Sequence, residues 1–368
     1  MSPENVQEES AGEPSPAALR IGSGEACHQR RNVVAFKFGG SSLLGADRMV
    51  HAAGLVRDAT RASNVTLVVS AMKGVTDHLL ATACALADGK LARARREAEV
   101  VLALHLDVLH DLHLDEDVDR SAVTQDNDLR VRRELHLLGC DLLHEVPVQG
   151  CVASGPELFD RLASFGERFC ARLFAAALEK VGVPAVPVTS SEFVLTCDTF
   201  RDAQPHLEQT RRRGRNVLLP LLEAGVVPVV TGFIGATPDG RITTLGRNSS
   251  DFSGAIIAHV VDADELVIWT DVDGIYTANP KESPEARLLH ELSYDEARAL
   301  AASGARVLHA KVLPLAAETE MVVWVRNTFN PLARGTRIAS PRSLRDSRAT
   351  SQDSTSAFSI SSHEGGAA

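Results

Sequence analysis

The chain has 368 residues, of which 44% are hydrophobic, and this is enough to bury a large core. Its net charge of −10 argues against a nucleic-acid-binding surface. No run of about 18 apolar residues indicates a membrane span, and the six cysteines contain no CxxC pair, so we expect reduced thiols in a cytoplasmic protein.

Short β-branched runs alternate with helical patterns along most of the chain. The runs predict strands at 33–38, 65–70, 185–188, 226–232, 266–271 and 321–326. Apolar residues at helical spacing follow most of these runs, as at 46–62, 158–180 and 252–261. This alternation is typical of an α/β protein with a mostly parallel sheet and helices on both faces.

Four segments depart from this rhythm. Residues 232–246 place two short β runs around a Pro-Asp-Gly turn, which predicts a hairpin. Residues 85–145 have a helical pattern, with turn-like composition at 115–128, and predict a helical insertion. The terminal segments 1–31 and 341–368 are polar and carry no apolar period, so we expect both to be disordered tails.

The segment KFGGSS, at the end of the first predicted strand, combines a cation with an uncovered backbone. Gly39 and Gly40 let the chain turn sharply and approach a ligand closely, because neither has a Cβ atom. Lys37 adds a full positive charge, and the N-terminus of the following helix adds a partial one. The combination suits a phosphate, although a plain strand-to-helix turn with an exposed lysine has the same pattern. The chain contains no Walker A motif.

The segment TTLGRNSSDFSGA also joins a β run to a helix. Arg247 could bind a carboxylate through two parallel hydrogen bonds. Asp251 has two interpretations, a functional carboxylate or a helix cap.

The segment LVIWTDVDGIYTANPK runs from an apolar strand into a cluster of polar residues that includes Thr270, Asp271, Tyr276 and Lys281. Polar groups at the end of a parallel strand are typical of a ligand crevice. Asp271 and Asp273 are two acids close together in the sequence, but we do not expect a metal site held by both.

Two further segments contribute candidate ligand-binding residues. VVSAMKGVTDHL places Ser70 and Thr76 on either side of Gly74 after another predicted strand. FGERF contains Glu167 within a helical apolar pattern, where an exposed helix glutamate is the simplest interpretation.

A histidine-rich segment, LALHLDVLHDLHLDED, contains His105, Asp107, His110 and His113. Zinc requires a closed set of ligands, and no cysteine lies near these residues in the sequence. We therefore expect a solvated helix face rather than a zinc site.

Six segments together resemble the kinase domain of the aspartate kinases, within the amino acid kinase family. They occur in the family's order over roughly 33–338: KFGGSS, VVSAMKGVTDHL, FGERF, TLGRNSSD, WTDVDGIYTANPK and GARVLHAK. The similarity is greatest to the kinase part of the bifunctional aspartate kinase–homoserine dehydrogenases. It implies a three-layer αβα sandwich at 32–340, with an acceptor lobe at about 32–225 and a nucleotide lobe at about 226–340.

The resemblance also implies an activity, the ATP-dependent phosphorylation of the β-carboxylate of L-aspartate to 4-phospho-L-aspartate. This reaction begins the biosynthesis of lysine, threonine and methionine. The implied cofactor is Mg²⁺ carried with ATP, and protein side chains alone are not expected to hold a metal. The implied binding partners are ATP and L-aspartate, with no nucleic acid and no membrane.

The resemblance assigns roles to residues at matching positions. Lys37, Gly39 and Gly40 would contact the transferred phosphate, and Asp251 would organise the lysine. The implied aspartate-binding residues are Ser70, Thr76, Glu167, Arg247 and Ser250. The implied nucleotide-binding residues are Lys37, Gly39, Gly40, Thr270, Asp271, Tyr276, Lys281 and Arg306.

The chemistry of this reaction suits these residue types. A carboxylate nucleophile is already ionised near neutral pH, so no general base is needed. The obstacle is the repulsion between an anion and a polyanion, so cations and N–H groups at the transferred phosphate are expected to contribute most.

Five positions differ from the family's usual residues: Ser249, Asn279, Lys281, Arg306 and Ala310. The pattern ends near 338, and no ACT domain is recognised, so feedback control would come from a separate subunit or be missing. We expect a homo-oligomer or a partner of such a subunit. The alternatives are another amino acid kinase, acting on glutamate, N-acetylglutamate or a nucleotide, and a catalytically weak regulatory or assembly homologue.

Overall fold

The computed structural model describes residues 32–113, 122–147, 155–278, 283–302 and 308–350. The strands in chain order are β1 (Val33–Phe38), β2 (Asn64–Val69), β3 (Ala185–Val188), β4 (Val227–Thr231), β5 (Ile234–Ala236), β6 (Ile242–Thr244), β7 (Glu265–Thr270), β8 (Ile275–Tyr276), β9 (Leu288–Leu289), β10 (Glu291–Ser293), β11 (Val322–Asn327) and β12 (Thr336–Ala339). The helices are α1 (Ala46–Thr60), α2 (Val75–Ala87), α3 (Leu91–His113), α4 (Ala122–His144), α5 (Pro156–Lys180), α6 (Leu207–Glu223), α7 (Ser250–Val260), α8 (Tyr294–Ala302), α9 (Val312–Glu318) and α10 (Pro341–Thr350).

Eight strands form the main sheet of the described residues, in the order β10-β12-β11-β7-β1-β2-β4-β3. The block from β11 to β3 is parallel throughout, β12 is antiparallel to β11, and β10 is parallel to β12. The carboxyl ends of the parallel strands therefore meet at one edge, which is where ligands bind in open α/β sheets.

Successive residues of β1 point into two separate helical layers, because side chains alternate across a strand. Phe36 and Phe38 are fully buried in the cluster that also contains the apolar faces of α1, α2, α3 and α5. Ala35 belongs to the opposite cluster, which includes α7 and α9. Each fully buried aromatic side chain contributes about 2 to 3 kcal/mol of hydrophobic stabilisation. The predicted three-layer α/β sandwich is confirmed.

The predicted strands agree with the observed ones to within one residue at each end. The hairpin is also confirmed, because β5 pairs with β6 in antiparallel register. In the helical insertion, the turn-like composition at 115–128 predicted a longer break than the one observed, since α4 begins at Ala122. Residues 114–121 lie outside the described part of the chain.

The predicted disorder at 341–368 is wrong for its first ten residues, which form α10. Ser340 starts this helix, because its hydroxyl accepts the N–H of Ser343 at 3.2 Å and its carbonyl accepts the N–H of Leu344. Leu344 is buried, which gives the otherwise polar segment an apolar anchor. Residues 1–31 and 351–368 lie outside the described residues.

The predicted solvated histidine face is wrong for His105, which is fully buried on α3. Its ring stacks on Phe169 at 4.6 Å, its Nδ1 contacts the Val101 carbonyl, and burial lowers its pKa to about 4. Asp107 and His110 are exposed, as predicted. The error arose because the sequence does not show that α5 packs against this face of α3.

None of the helices in the described segments is long and apolar enough to cross a membrane.

Candidate active site

Lys37 lies at the end of β1 and is largely buried. Its alternative interpretation as an exposed lysine in a turn is therefore wrong. Its Nζ forms an ion pair with Asp251 Oδ1 at 2.7 Å. Helix α7 passes close to the lysine at Gly254, where an added Cβ would lie 3.2 Å from Lys37 Cβ. The N-cap of α7 is Ser249, so Asp251 is not a helix cap and instead holds the lysine ammonium in place.

The two glycines after β1 have different roles. A Cβ on Gly39 would meet Lys37 Nζ at 3.6 Å, so this glycine keeps the space beside the ammonium open. A Cβ on Gly40 would lie 2.4 Å from the Ala71 carbonyl oxygen, which is closer than atoms can pack. Gly40 is therefore required because the loop after β2 crosses it, and its carbonyl accepts the Lys73 N–H at 3.2 Å.

Glu167 lies on α5 and is buried, with 3% of its surface exposed, so its interpretation as an exposed helix glutamate is wrong. Its Oε1 accepts the N–H of Ala71 at 3.1 Å, whereas its Oε2 is buried and has no hydrogen-bond partner among the described residues. Burial raises the pKa of Glu167 to about 8, and the Ala71 hydrogen bond opposes this effect. A buried carboxylate oxygen without a donor is suited to a ligand cation.

The loop between β2 and α2, at 70–74, connects these two parts of the site. It contacts Gly40 on one side and Glu167 on the other. Ser70, at the end of β2, and Thr76, in the first turn of α2, are both half-buried at this loop. The structure therefore brings together three of the segments that the sequence identified separately.

Arg247 lies on the loop between β6 and α7 and is exposed. Its guanidinium contacts Asp77 Oδ1, on α2, at 3.2 Å, which places it next to the turn of α2 that carries Thr76. Ser250, at the start of α7, lies close to the end of β4, since a Cβ on Gly232 would be 3.4 Å from Ser250 Cβ. Asp77 was missed because an acid within a helix carries no sign of its partner.

Three of the residues predicted to bind the nucleotide, Thr270, Asp271 and Tyr276, lie at the end of β7 and just beyond it. Thr270 ends the strand, and its hydroxyl donates to Asp271 Oδ1 at 3.3 Å. Tyr276 is half-buried in β8, and its pKa is raised by burial and by the charge of Asp273. Asp273 accepts a hydrogen bond from the Asn327 side chain, and this ties the loop to β11.

Three residues of the segments predicted to bind the nucleotide lie outside the described residues, so their positions stay predictions: Asn279, Lys281 and Arg306.

Gly74, which the sequence placed between Ser70 and Thr76, is the N-cap of α2 and has a positive φ of 91°.

A second charged cluster adjoins Asp251 and was not predicted. Lys311 Nζ forms an ion pair with Asp202 Oδ1 at 2.9 Å and lies over the Phe252 ring. The ring of His309 stacks on Phe252, and burial together with the Lys311 charge lowers its pKa. Lys311 is the last residue of the GARVLHAK segment, so its charge and its place in that segment were the available signals.

The described residues contain no group of three His, Cys, Asp or Glu side chains placed to hold a metal ion. Carboxylates do lie at the carboxyl edge of the sheet, at Asp251 and Asp271. Magnesium usually retains several waters and binds through one or two carboxylates together with phosphate oxygens. These residues therefore fit a magnesium ion delivered by a nucleotide better than an all-protein metal cage.

The fold and the site define an α/β protein with two charged ligand-binding groups at one edge of its sheet. Lys37 is suited to an anionic ligand, and Glu167, on the other side of the 70–74 loop, is suited to an ammonium group. The family model described as "Amino acid kinase family" matches residues 32–327, and the chain belongs to this family.

Aspartokinases are among the proteins most similar to this chain. It is 33% identical to lysine-sensitive aspartokinase 3 of Escherichia coli K12 over 307 residues, which are 83% of this chain and 64% of that protein. It is also 33% identical to the chloroplastic aspartokinase 1 of Arabidopsis thaliana over 323 residues, which are 86% of this chain and 53% of that protein. The chain thus spans between half and two thirds of the length of these relatives.

The structure is similar to that of E. coli aspartokinase III solved in complex with aspartate and ADP. The TM-score is 0.71 at 30% sequence identity, and the match covers 84% of this chain and 64% of the other. The resemblance to aspartate kinases and the fold that it implied are confirmed.

Proposed function

We propose that this chain transfers the γ-phosphate of ATP to the β-carboxylate of L-aspartate and releases 4-phospho-L-aspartate and ADP. The main observation behind the proposal is that Oε2 of the buried Glu167 has no hydrogen-bond partner among the described residues. The 70–74 loop lies between this oxygen and the Lys37–Asp251 ion pair. This arrangement supports a ligand that has an ammonium at one end and meets a phosphate at the other. The similarity to aspartokinases supports the same substrate.

On the substrate side, each charged group of aspartate has a complementary group. The ammonium would donate to Glu167 Oε2, and this would offset the cost of burying that carboxylate. The α-carboxylate would bind the exposed guanidinium of Arg247 in place of Asp77. Ser70, Thr76 and Ser250 would line the space between them. An N-acylated amino acid lacks the positive charge that Glu167 requires, which argues against N-acetylglutamate.

On the phosphate side, the lysine is pre-oriented. Asp251 fixes the Lys37 ammonium, so no reorganisation is required when negative charge develops on the transferred phosphate. The β-carboxylate attacks as an anion, so no residue has to remove a proton. Mg²⁺ bound with ATP would neutralise charge on the β- and γ-phosphates, and Asp251 and Asp271 are the carboxylates available to it.

The nucleotide would bind beside the end of β7. Thr270, Asp271 and Tyr276 lie there, and Lys281 and Arg306 are proposed to add positive charge at the phosphates. The remaining expectations also stay proposals. They are the domain limits of 32–340 with two lobes, a homo-oligomer or a separate regulatory subunit, a cytoplasmic location, and a role at the start of lysine, threonine and methionine biosynthesis.

A hydroxamate assay tests this proposal. The purified chain is incubated with ATP, Mg²⁺, hydroxylamine and one of aspartate, glutamate or N-acetylglutamate, and acyl-hydroxamate is measured. We expect product with aspartate, a loss of at least about 100-fold in Lys37→Ala, and full activity in the control Lys90→Ala, whose ammonium is exposed and pairs with Asp88.

Two other outcomes would each support one of the alternative functions. Product with glutamate alone would indicate another amino acid kinase. Nucleotide binding without turnover of any of the three would indicate the catalytically weak homologue.

A further inference from the structure

A second carboxylate on α5, Asp160, is also buried. Asp160 is 1% exposed and lies seven residues before Glu167, about two helical turns and 10 Å along the axis. Its Oδ2 accepts the N–H of Thr244 at 2.9 Å and the N–H of Arg201 at 2.8 Å. Its Oδ1 accepts the Thr244 hydroxyl at 2.8 Å. One buried side chain therefore joins α5 to two loops that are far away in the sequence.

The first of these loops is held in an uncommon conformation. Arg201 has a positive φ of 72°, and its guanidinium lies over the Phe159 ring, next to Asp160 on α5. The following residue, Asp202, lies against Gly246, where an added Cβ would be 2.9 Å from Asp202 Oδ1. The loop that Asp160 holds is thus packed directly against the residue before Arg247.

The second loop follows Thr244, the last residue of β6, and contains Arg247. Asp160 binds the N–H and the hydroxyl of Thr244, and the carbonyl of Thr244 accepts the N–H of Ala203 at 2.8 Å. Beyond Thr244 the chain turns through Gly246 and Asn248, which have positive φ angles of 96° and 62°. The starting point of this turn is therefore fixed by Asp160, while the arginine it carries is exposed.

We propose that Asp160 is a positioning residue that fixes the Arg247 loop relative to Glu167. Helix α5 would then set the distance between the groups that bind the two charged ends of the substrate. This inference rests on the proposed function. It predicts a defect in amino acid binding, with little effect on nucleotide binding, because the loops that Asp160 holds position Arg247 and carry none of the residues proposed to bind the nucleotide.

A double-mutant cycle distinguishes positioning from general stabilisation. Steady-state kinetics are measured for the unmodified chain, Asp160→Ala, Arg247→Ala and the double variant. We expect Asp160→Ala to raise the KM for aspartate by about tenfold and to leave the KM for ATP within about twofold. In the Arg247→Ala background the same change should raise the KM for aspartate by less than about twofold, because the group that Asp160 positions is no longer there.

The chain offers a conservative variant and a matched control. In Asp160→Asn the amide oxygen can accept both backbone N–H groups and the amide nitrogen can donate to the Thr244 hydroxyl, so most of the aspartate affinity should return. Asp264→Ala removes a carboxylate that accepts the Val33 N–H at 2.9 Å, at the opposite edge of the sheet, and should leave both KM values unchanged. If Asp160→Ala does not fold, Asp160→Asn combined with Thr244→Val replaces it in the cycle.

The possible failures can be told apart. Independent, multiplicative effects of Asp160→Ala and Arg247→Ala would overturn the inference, and so would an equal rise in both KM values. A lower melting temperature with unchanged kinetics would reduce Asp160 to a structural residue and would also overturn it. If the unmodified chain turns over no aspartate, the proposed function fails and this inference fails with it.

Discussion

If Glu167 binds the substrate ammonium as proposed, the raised pKa of this buried group makes the KM for aspartate depend on pH. Its pKa of about 8 means that the carboxyl group is largely protonated at neutral pH in the ligand-free protein. An ammonium ligand binds only the ionised form, so the apparent affinity scales with the ionised fraction. This fraction is about 0.03 at pH 6.5 and about 0.5 at pH 8, which predicts a roughly 15-fold fall in the KM for aspartate over this range.

The same carboxylate also affects stability. A folded pKa above the unfolded value of 4.5 means that the native state holds its proton more tightly. Glu167 therefore costs no stability below pH 4.5, and its cost grows as the pH rises towards 8. The cost at pH 8 is on the order of 4 kcal/mol. Glu167→Gln removes it and adds about 1 to 3 kcal/mol for a buried amide N–H without an acceptor. The variant should be more stable than the unmodified chain at pH 8.

Two measurements test this prediction. The KM for aspartate is determined between pH 6.5 and 8 for both proteins, and chemical denaturation is performed at pH 5 and pH 8. Glu167→Gln should bind aspartate poorly with no pH dependence, and its gain in stability should be present at pH 8 and lost at pH 5. Cys170, one turn further along α5, does not interfere, because burial raises its pKa well above this range. A KM for aspartate that is flat with pH in the unmodified chain would refute the reasoning.

Two further predictions concern close approach and electrostatic competition. Gly40→Ala should unfold or strongly destabilise the chain, because its Cβ would lie 2.4 Å from the Ala71 carbonyl oxygen. The control is Gly54→Ala in helix α1, where an added Cβ would have no neighbour within 4 Å and the change should be neutral or slightly stabilising. Equal melting temperatures for these two variants would contradict this reading of the contact. Asp77→Asn should lower the KM for aspartate by about two- to fivefold, because the exposed Arg247 no longer has a competing carboxylate. A rise in this KM would show instead that Asp77 orients the arginine.

The sequence predicted the sheet well because its signal is local. Runs of buried β-branched and aromatic residues are typical of strands covered on both faces, and β1 and β7 could therefore be located to within a residue. The clusters at the strand ends were predicted for a similar reason, since the carboxyl ends of parallel strands share one edge. Lys37 and Thr270 could be assigned to that edge without knowing any tertiary contact.

The burial of side chains on the helices could not be predicted in this way. Three polar residues on long helices are buried because another element packs over them: Glu167, Asp160 and His105. The Ala71 amide reaches Glu167 across 96 positions of sequence, and the Thr244 amide reaches Asp160 across 84. A spacing rule within one helix contains no information about such partners, so these carboxylates were either misread as exposed or not noticed.

Lys37 and Glu167 extend from different layers of the fold, so they do not pair with each other. Lys37 extends from β1 towards α7 and is neutralised there by Asp251, while Glu167 extends from α5 on the other side of the sheet. If the lysine and the glutamate were in direct contact, they would form a closed ion pair with no tendency to bind a zwitterion. Because the 70–74 loop lies between them, the glutamate carboxyl group retains an oxygen without a partner among the described residues, and in the proposed function a ligand with an ammonium at one end and a phosphate acceptor at the other would satisfy both groups.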